Sequence, residues 1–152
     1  MKKVLIVLGS VFLALIVLAG IGIAIVAWKG TELDKESKAF VDAAVPAIVS
    51  SWSKEQLMNR ASAELKQTTK PADMDRLFRW FSTLGRLQKY EGAQGQVLIS
   101  VTPQNGKIVS GRYVAKAVFD AGEASIEIAV LKDGNQWQIL RFEVNSSAFV
   151  PP

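Results

Sequence analysis

The sequence has 152 residues, of which 49% are hydrophobic, and it contains neither cysteine nor histidine. The lack of cysteine excludes disulfides, thiolate chemistry and the lipidated cysteine of a bacterial lipoprotein, and the lack of histidine removes the commonest catalytic base and metal ligand. The formal net charge is +4, but Lys2, Lys3 and Lys29 account for most of it, since from Thr31 onward 15 basic residues stand against 14 acidic ones. No basic field remains to attract a polyanion, so nucleic acid is not expected as a partner.

The longest apolar stretch runs from Val4 to Trp28, 25 residues without a charge. A bilayer core requires about 20 apolar residues of helix, so this stretch is long enough to cross it. Lys2, Lys3 and Lys29 flank it, and Trp28 is an aromatic residue of the kind enriched at membrane surfaces. The pattern predicts a retained transmembrane anchor with the lipid bilayer as its partner. The alternative is a cleaved signal peptide, whose apolar region is usually shorter.

The orientation follows from the charges and lengths on either side of this segment. Lys2 and Lys3 favour a cytosolic N-terminus, although Lys29, Lys35 and Lys38 come close to balancing them on the other side. A short N-terminal tail followed by a long C-terminal part is the usual layout of a signal anchor. We therefore expect a single-pass protein of the inner (plasma) membrane, with residues 1–3 in the cytosol, an anchor at 4–28, a linker at 29–34 and an extracytoplasmic α+β domain at 35–152.

Three helices are predicted in the first half of that domain. The first starts at Thr31 and carries an apolar stripe at spacings of three and four, with Pro46 expected to kink it. The second begins with the Ser53–Gln56 capping box, and the third runs from Pro71 to a stop at Gly85. The residues assigned to the buried sides are Phe40, Val41, Ala44, Val45, Ile48, Val49 and Trp52 in the first helix, Leu57, Ala61 and Leu65 in the second, and Met74, Leu77, Phe78, Phe81 and Leu84 in the third.

From Arg86 the apolar period changes from 3.6 to 2, which predicts strands. The first strand covers Gln96 to Thr102, or starts as early as Leu87 with Gly92 and Gly95 as bulges. We predict that three more strands follow and that the fold class is α+β, with about three helices packed on one face of a curved four-stranded antiparallel sheet.

The last three strands show a regular inner face. The second is predicted from Lys107 to Asp120, and Asp133-Gly134 is a hairpin signal between the third and the fourth. In the fourth strand a bulge near Ile139 is needed, because the apolar residues on either side of it have opposite parity. The remaining residues predicted to face the helices are Tyr113, Ala115, Ala117, Phe119, Ala124, Ile126, Ile128, Val130, Trp137, Ile139, Leu140, Phe142 and Val144.

Three features carry a resemblance to a known family: the Ser53–Gln56 cap, the Gly-rich lead Tyr90–Gly95 into the first strand, and Trp137-Gln138-Ile139 in the last. With the order of elements, they make Lys35 to Ser147 resemble the nuclear-transport-factor-two-like superfamily, and membrane-anchored cystatin-like domains of bacteria are similar. The resemblance implies a cone-shaped fold with a pocket between sheet and helices, and dimers through the sheet. Members range from isomerases and dehydratases to assembly factors of secretion machines, so the fold alone leaves the function open.

The residues favour a module without enzymatic activity. The isomerases of that superfamily set a carboxylate base against an acidic hydroxyl or a protonated acid, and here only Tyr90 and Tyr113 supply a phenol. We predict no catalytic, cofactor-binding or metal-binding residue, and a binding or assembly function whose partner is a second copy of the chain or a protein of a membrane complex. The alternative is a small-molecule isomerase, which a buried carboxylate of raised pKa facing Tyr113 would favour.

Four aromatic residues are the candidate pocket or contact residues: Trp80, Tyr113, Phe119 and Trp137. Aromatic side chains line pockets for apolar ligands, but three of these four lie at periodic core positions, where packing explains them equally well. Trp80 lies one position off the apolar stripe of its helix, which favours a surface contact.

Overall fold

The computed structural model describes residues 32–149. The predicted tail, the anchor and residues 29–31 of the linker lie outside this range, whereas residues 32–34, predicted as linker, belong to a helix. Within the described range no helix is long and apolar enough to cross a membrane. The helices are α1 (32–49), α2 (Lys54–Met58), α3 (Ala63–Thr68) and α4 (Pro71–Phe81), the last followed by a 3₁₀ turn at Ser82–Leu84. The strands are β1 (Leu87–Thr102), β2 (Gly106–Phe119), β3 (Glu123–Asp133) and β4 (Gln136–Asn145). The predicted α+β class and the four antiparallel strands are confirmed.

The sheet is a meander in which each strand pairs antiparallel with the next, in the order β1-β2-β3-β4. The predicted bulge in β4 is confirmed, because Ala129 pairs with Arg141 and Val130 with Ile139, which leaves Leu140 as the extra residue. Ile139 is thereby fully buried. One side of the sheet, the inner face, therefore carries the apolar residues of all four strands.

The two predicted glycine bulges in β1 have different outcomes. The register shifts just before Gly92, whose φ of 93° favours glycine, so this bulge is confirmed. The register is continuous through Gly95, so no bulge occurs there. A Cβ at Gly95 would lie 1.9 Å from the carbonyl oxygen of Arg112, so the glycine is required by close contact between strands.

The predicted second helix is interrupted. Ser53 does cap α2, accepting a hydrogen bond from the N–H of Gln56, but α2 ends at Met58 and a new helix, α3, starts after Ser62. Between them the chain pairs with the free edge of β4: the Ser62 N–H donates to the Ile139 carbonyl at 2.8 Å, and the Ile139 N–H donates to the Arg60 carbonyl at 2.6 Å. Pairing with the strand replaces the hydrogen bonds that a continuous helix would have made.

The helix that covers the centre of the sheet is α1. Asp42 of α1 bonds to Tyr90 and to the backbone of Ala93, and these two residues pair with Ala117 and Ala115 respectively. Small side chains at these positions let α1 approach β1 and β2 closely. In α4, Met74, Phe78 and Phe81 are buried, whereas Leu77, predicted to be buried, is 42% exposed.

Two further details concern the ends of elements. α1 continues past Pro46 to residue 49, so the proline lies within the helix, and the kink expected there stays a prediction. The hairpin between β3 and β4 has its two-residue loop at Gly134-Asn135, one position later than predicted, since Asp133 pairs with Gln136. The φ of 61° at Gly134 suits the first position of such a turn.

We expect Ala117→Leu to lower the free energy of unfolding of the full chain, purified in detergent, by about 1–3 kcal/mol, because Ala117 is 1% exposed and α1 lies against this part of the sheet. Urea denaturation followed by tryptophan fluorescence measures the change. Ala129→Leu, on the opposite face of the sheet, is the matched control and should change stability little. An unchanged or raised midpoint for Ala117→Leu would show that the inner face has room for a larger side chain.

Candidate functional site

Tyr113 is committed to the interior of the fold. It is 3% exposed, its hydroxyl is hydrogen-bonded to the Ser37 hydroxyl of α1, and it also donates to the Asp34 carbonyl at 3.4 Å. Ser37 itself is fully buried. Burial is the main cause that raises the pKa of Tyr113. Both of its polar contacts are made to α1, so this phenol holds the helix against the sheet.

Phe119 belongs to an aromatic stack at the other end of β2. Its ring lies 5.1 Å from that of Trp52, which donates through Nε1 to the Gly85 carbonyl at 2.9 Å. Trp52 has a φ of 50°, and the next N–H, that of Ser53, bonds to the Ile48 carbonyl at 2.9 Å. This is the Schellman termination of a helix, with tryptophan where glycine is usual. The stack therefore fixes the end of α1.

Trp137 and Trp80 lie at the periphery of the core. Trp137 is partly buried, Lys132 lies 5.7 Å above its ring, and its buried Nε1 has no hydrogen-bond partner among residues 32–149. Trp80 is 40% exposed, and its ring stacks on that of Phe149 at 4.4 Å. Trp80 is thus a surface residue, as its position one residue off the apolar stripe of α4 predicted.

These four aromatic residues do not line one pocket. Tyr113 and Phe119 are six positions apart on β2, a separation of about 20 Å. Trp80 of α4 stacks with Phe149, and Trp137 lies at the start of β4. Trp80 and Phe119 are joined through the rings of Phe81 and Trp52 in one aromatic cluster, whereas Tyr113 and Trp137 lie apart from it. The four residues therefore share no ligand site.

The polar residues that sequence reasoning missed connect α1 to β1. The Asp34 carboxylate accepts from the Val97 N–H at 2.7 Å, and the Asp42 carboxylate accepts from the Ala93 N–H at 3.0 Å and from the Tyr90 hydroxyl at 2.7 Å. β1 is an edge strand, so these N–H groups have no strand to bond to. We call these contacts the helix–edge clasp.

The spacing of the helix–edge clasp matches the geometry of its two elements. Asp34 and Asp42 are eight residues apart on a helix, a rise of about 12 Å. Val97 and Ala93 are four residues apart on a strand, a length of about 13 Å. Since the higher-numbered strand residue meets the lower-numbered helix residue, α1 and β1 run antiparallel.

The ionised form of Asp42 is stabilised by its hydrogen-bond partners. Burial alone raises the pKa of a carboxyl, but hydrogen bonds from Lys38, Tyr90 and the Ala93 N–H outweigh that effect and leave the pKa of Asp42 below its ordinary value. Lys38 Nζ lies 2.5 Å from the second carboxylate oxygen. Burial and the hydrogen bond to Asp42 in turn raise the pKa of Tyr90. A carboxylate of lowered pKa is a poor proton acceptor at neutral pH, so this pair acts as a structural contact.

The opposite side of the sheet, its outer face, carries an open groove of about 980 Å³ bounded on one side by α3. Two rows of side chains cross its strands. Arg112, Ala129 and Arg141 form one row, and Val114, Glu127 and Glu143 form the next. We call this the outer-face groove; its other lining residues are Glu64, Leu65, Thr68, Gln94, Gly95, Gln96, Ser110, Gly111, Tyr113, Ile128, Leu140 and Phe142.

Charge in the outer-face groove alternates from row to row. The arginine row lies one step along the strands from the glutamate row, and Arg141 bonds to Glu143 at 2.5 Å. Val114 between the charges is 42% exposed. This mixture of arginine, paired charge and exposed apolar surface is typical of protein interfaces. Sequence reasoning missed the groove because alternating polar residues are also what any solvated sheet face shows.

Comparisons with protein-family models, with curated proteins and with solved structures find no match to this chain. The resemblance to the nuclear-transport-factor-two-like superfamily therefore stays a prediction.

We expect Asp42→Asn to lower the free energy of unfolding at pH 7 by about 1–3 kcal/mol, because a charged acceptor of three hydrogen bonds is lost. Since the pKa of Asp42 is lowered by folding, its contribution is present above pH 3.8 and is lost as the pH falls further. The gap between parent and variant should therefore shrink below pH 4 in urea denaturation. Asp73→Asn, on the exposed side of α4, is the control; a gap that does not depend on pH would exclude a role for the charge.

Proposed function

We propose that the protein is a non-enzymatic, single-pass membrane-anchored binding or assembly module, and that its outer-face groove binds another protein. The observation that carries this proposal is the groove itself, which combines an exposed apolar side chain, Val114, with adjacent rows of opposite charge. Arginine is enriched in protein interfaces, and complementary charges fix the register between partners.

The inner face is occupied by contacts within the domain, which supports the proposal that the outer face binds the partner. Ala115, Ala117 and Ile126 are buried there, and the hydroxyls of Tyr113 and Tyr90 bond to residues of α1. These side chains stabilise the packing of α1 on the sheet. The outer face is what the domain offers to a partner.

A second copy of the chain and a protein of a membrane complex both fit the groove. If a two-fold axis passes between the two rows, the arginine row of one copy faces the glutamate row of the second copy. A different protein with the same alternation of charge would be accepted in the same way.

The isomerase alternative has less support. It requires a buried carboxylate of raised pKa opposite Tyr113, whereas the hydroxyl of Tyr113 is bonded to Ser37 and the pKa of nearby Asp42 is lowered. We therefore retain the binding module as the proposed function.

The proposed partner can be identified by photo-crosslinking at Val114 in intact membranes. A benzophenone side chain at Val114 should give a discrete adduct, either a dimer of the chain or a heterologous product. Leu77 on α4 is the matched control, since it is also apolar and equally exposed, 42% in each case. Equal crosslinking at both positions, or none at Val114, would contradict the proposal.

The proposed membrane topology has its own test. A reporter enzyme that is active only outside the cytosol should be active when it is fused after Pro152, and the mature chain should keep Met1. Activity from a cytosol-only reporter would reverse the orientation. An N-terminus near Ile23 or Ile25 would identify a cleaved signal peptide and a released domain.

A further inference from the structure

β1 and β2 extend beyond the rest of the sheet. β3 pairs with β2 only from Ser110 to Val118, whereas β1 and β2 stay paired out to Thr102 and Gly106. Residues 98–110 therefore form a two-stranded ribbon whose base is the Leu98–Ser110 pair. We call this ribbon the β1–β2 arm.

The β1–β2 arm concentrates exposed apolar side chains. Leu98, Ile99 and Val101 are 47%, 38% and 75% exposed, and they are half of the six large apolar side chains exposed within residues 32–149. Single exposed apolar residues are ordinary, but a cluster of them marks a contact surface. Residues 98–110 contain no acidic residue and one basic residue, Lys107. The arm is thus apolar along its length and basic at its tip.

The direction of the arm follows from the helix–edge clasp. Asp34 bonds to Val97 and Asp42 to Ala93, so β1 runs toward the beginning of α1. Beyond Val97 the strand continues for five residues to Thr102, about 17 Å. The arm therefore projects past Asp34, on the side from which the chain enters α1.

Chain connectivity limits how far the proposed anchor is from this point. Trp28, the last residue of the uncharged segment, is six residues before Asp34, and six residues span at most about 20 Å. This reach is close to the length of the arm. Lys29 lies in this connection, but Glu32 and Asp34 follow it, so the positive charge assigned to the membrane contact is that of Lys107 in the arm.

We propose that the β1–β2 arm rests on an anionic lipid bilayer through the face that carries Ile99, Val101 and Lys107, with the two aliphatic side chains at the interface and Lys107 among the headgroups. This inference rests on the proposed anchor and adds a second membrane contact to it.

The lack of cysteine allows a direct test with single-cysteine variants. The full chain carrying Val101→Cys, labelled with an environment-sensitive dye, is reconstituted in vesicles of phosphatidylcholine and phosphatidylglycerol, with and without lipids that carry a nitroxide quencher. The label at position 101 should show blue-shifted emission and lose intensity in the presence of the quencher. Val114→Cys is the matched control, an exposed valine in the outer-face groove, and its label should keep its intensity.

Flotation of the vesicles separates the two proposals. A chain that floats while the label at position 101 is unquenched overturns the arm inference and leaves the anchor intact. A chain that does not float overturns the anchor and the inference that rests on it. Equal quenching at positions 101 and 114 rejects a specific role for the arm. A blue shift without quenching, reversed by excess unlabelled chain, shows that a second copy covers the arm and also overturns the inference.

Discussion

The helix–edge clasp is the contact on which the architecture depends. An edge strand presents unpaired N–H groups, and in β1 two of these are satisfied by the carboxylates of Asp34 and Asp42 from α1. Because the rise of eight helical residues nearly equals the length of four strand residues, both contacts form at once without bending either element. The clasp fixes the position of α1 across the sheet, its direction relative to β1, and the close contact over the alanines at the centre of the inner face.

The hydrogen bonds made by the two edge strands determine which surfaces of the sheet remain free for a partner. At the opposite edge, β4 pairs with the chain between α2 and α3, which forms hydrogen bonds with both the N–H and the carbonyl of Ile139. With both edges and the inner face used in folding, the outer face and the β1–β2 arm are the surfaces of the sheet that expose apolar side chains within residues 32–149. The proposed function uses the outer face, and the proposed membrane contact uses the arm.

These two surfaces have different chemistry, which suits two different partners. The outer-face groove alternates arginine and glutamate around Val114, a pattern that selects a protein of complementary charge. The arm has one basic residue, Lys107, no acidic residue and three exposed aliphatic side chains, a combination that favours an anionic membrane surface. A module held to the membrane at two points would present its groove to other membrane-bound proteins.

The local sequence pattern was sufficient to predict the fold class, the order of the elements and even the bulge at Ile139, because the spacing of apolar residues indicates which side of its element each residue faces. Long-range pairing decided the rest. The break between α2 and α3 depends on Ile139, and the helix–edge clasp joins residues 63 and 51 positions apart. The roles of Asp34 and Asp42 could not be read locally, because an acidic residue on a helix looks the same whether it faces water or an edge strand. The same ambiguity concealed the outer-face groove, whose residues become a site only when the strand register brings their charges into adjacent rows.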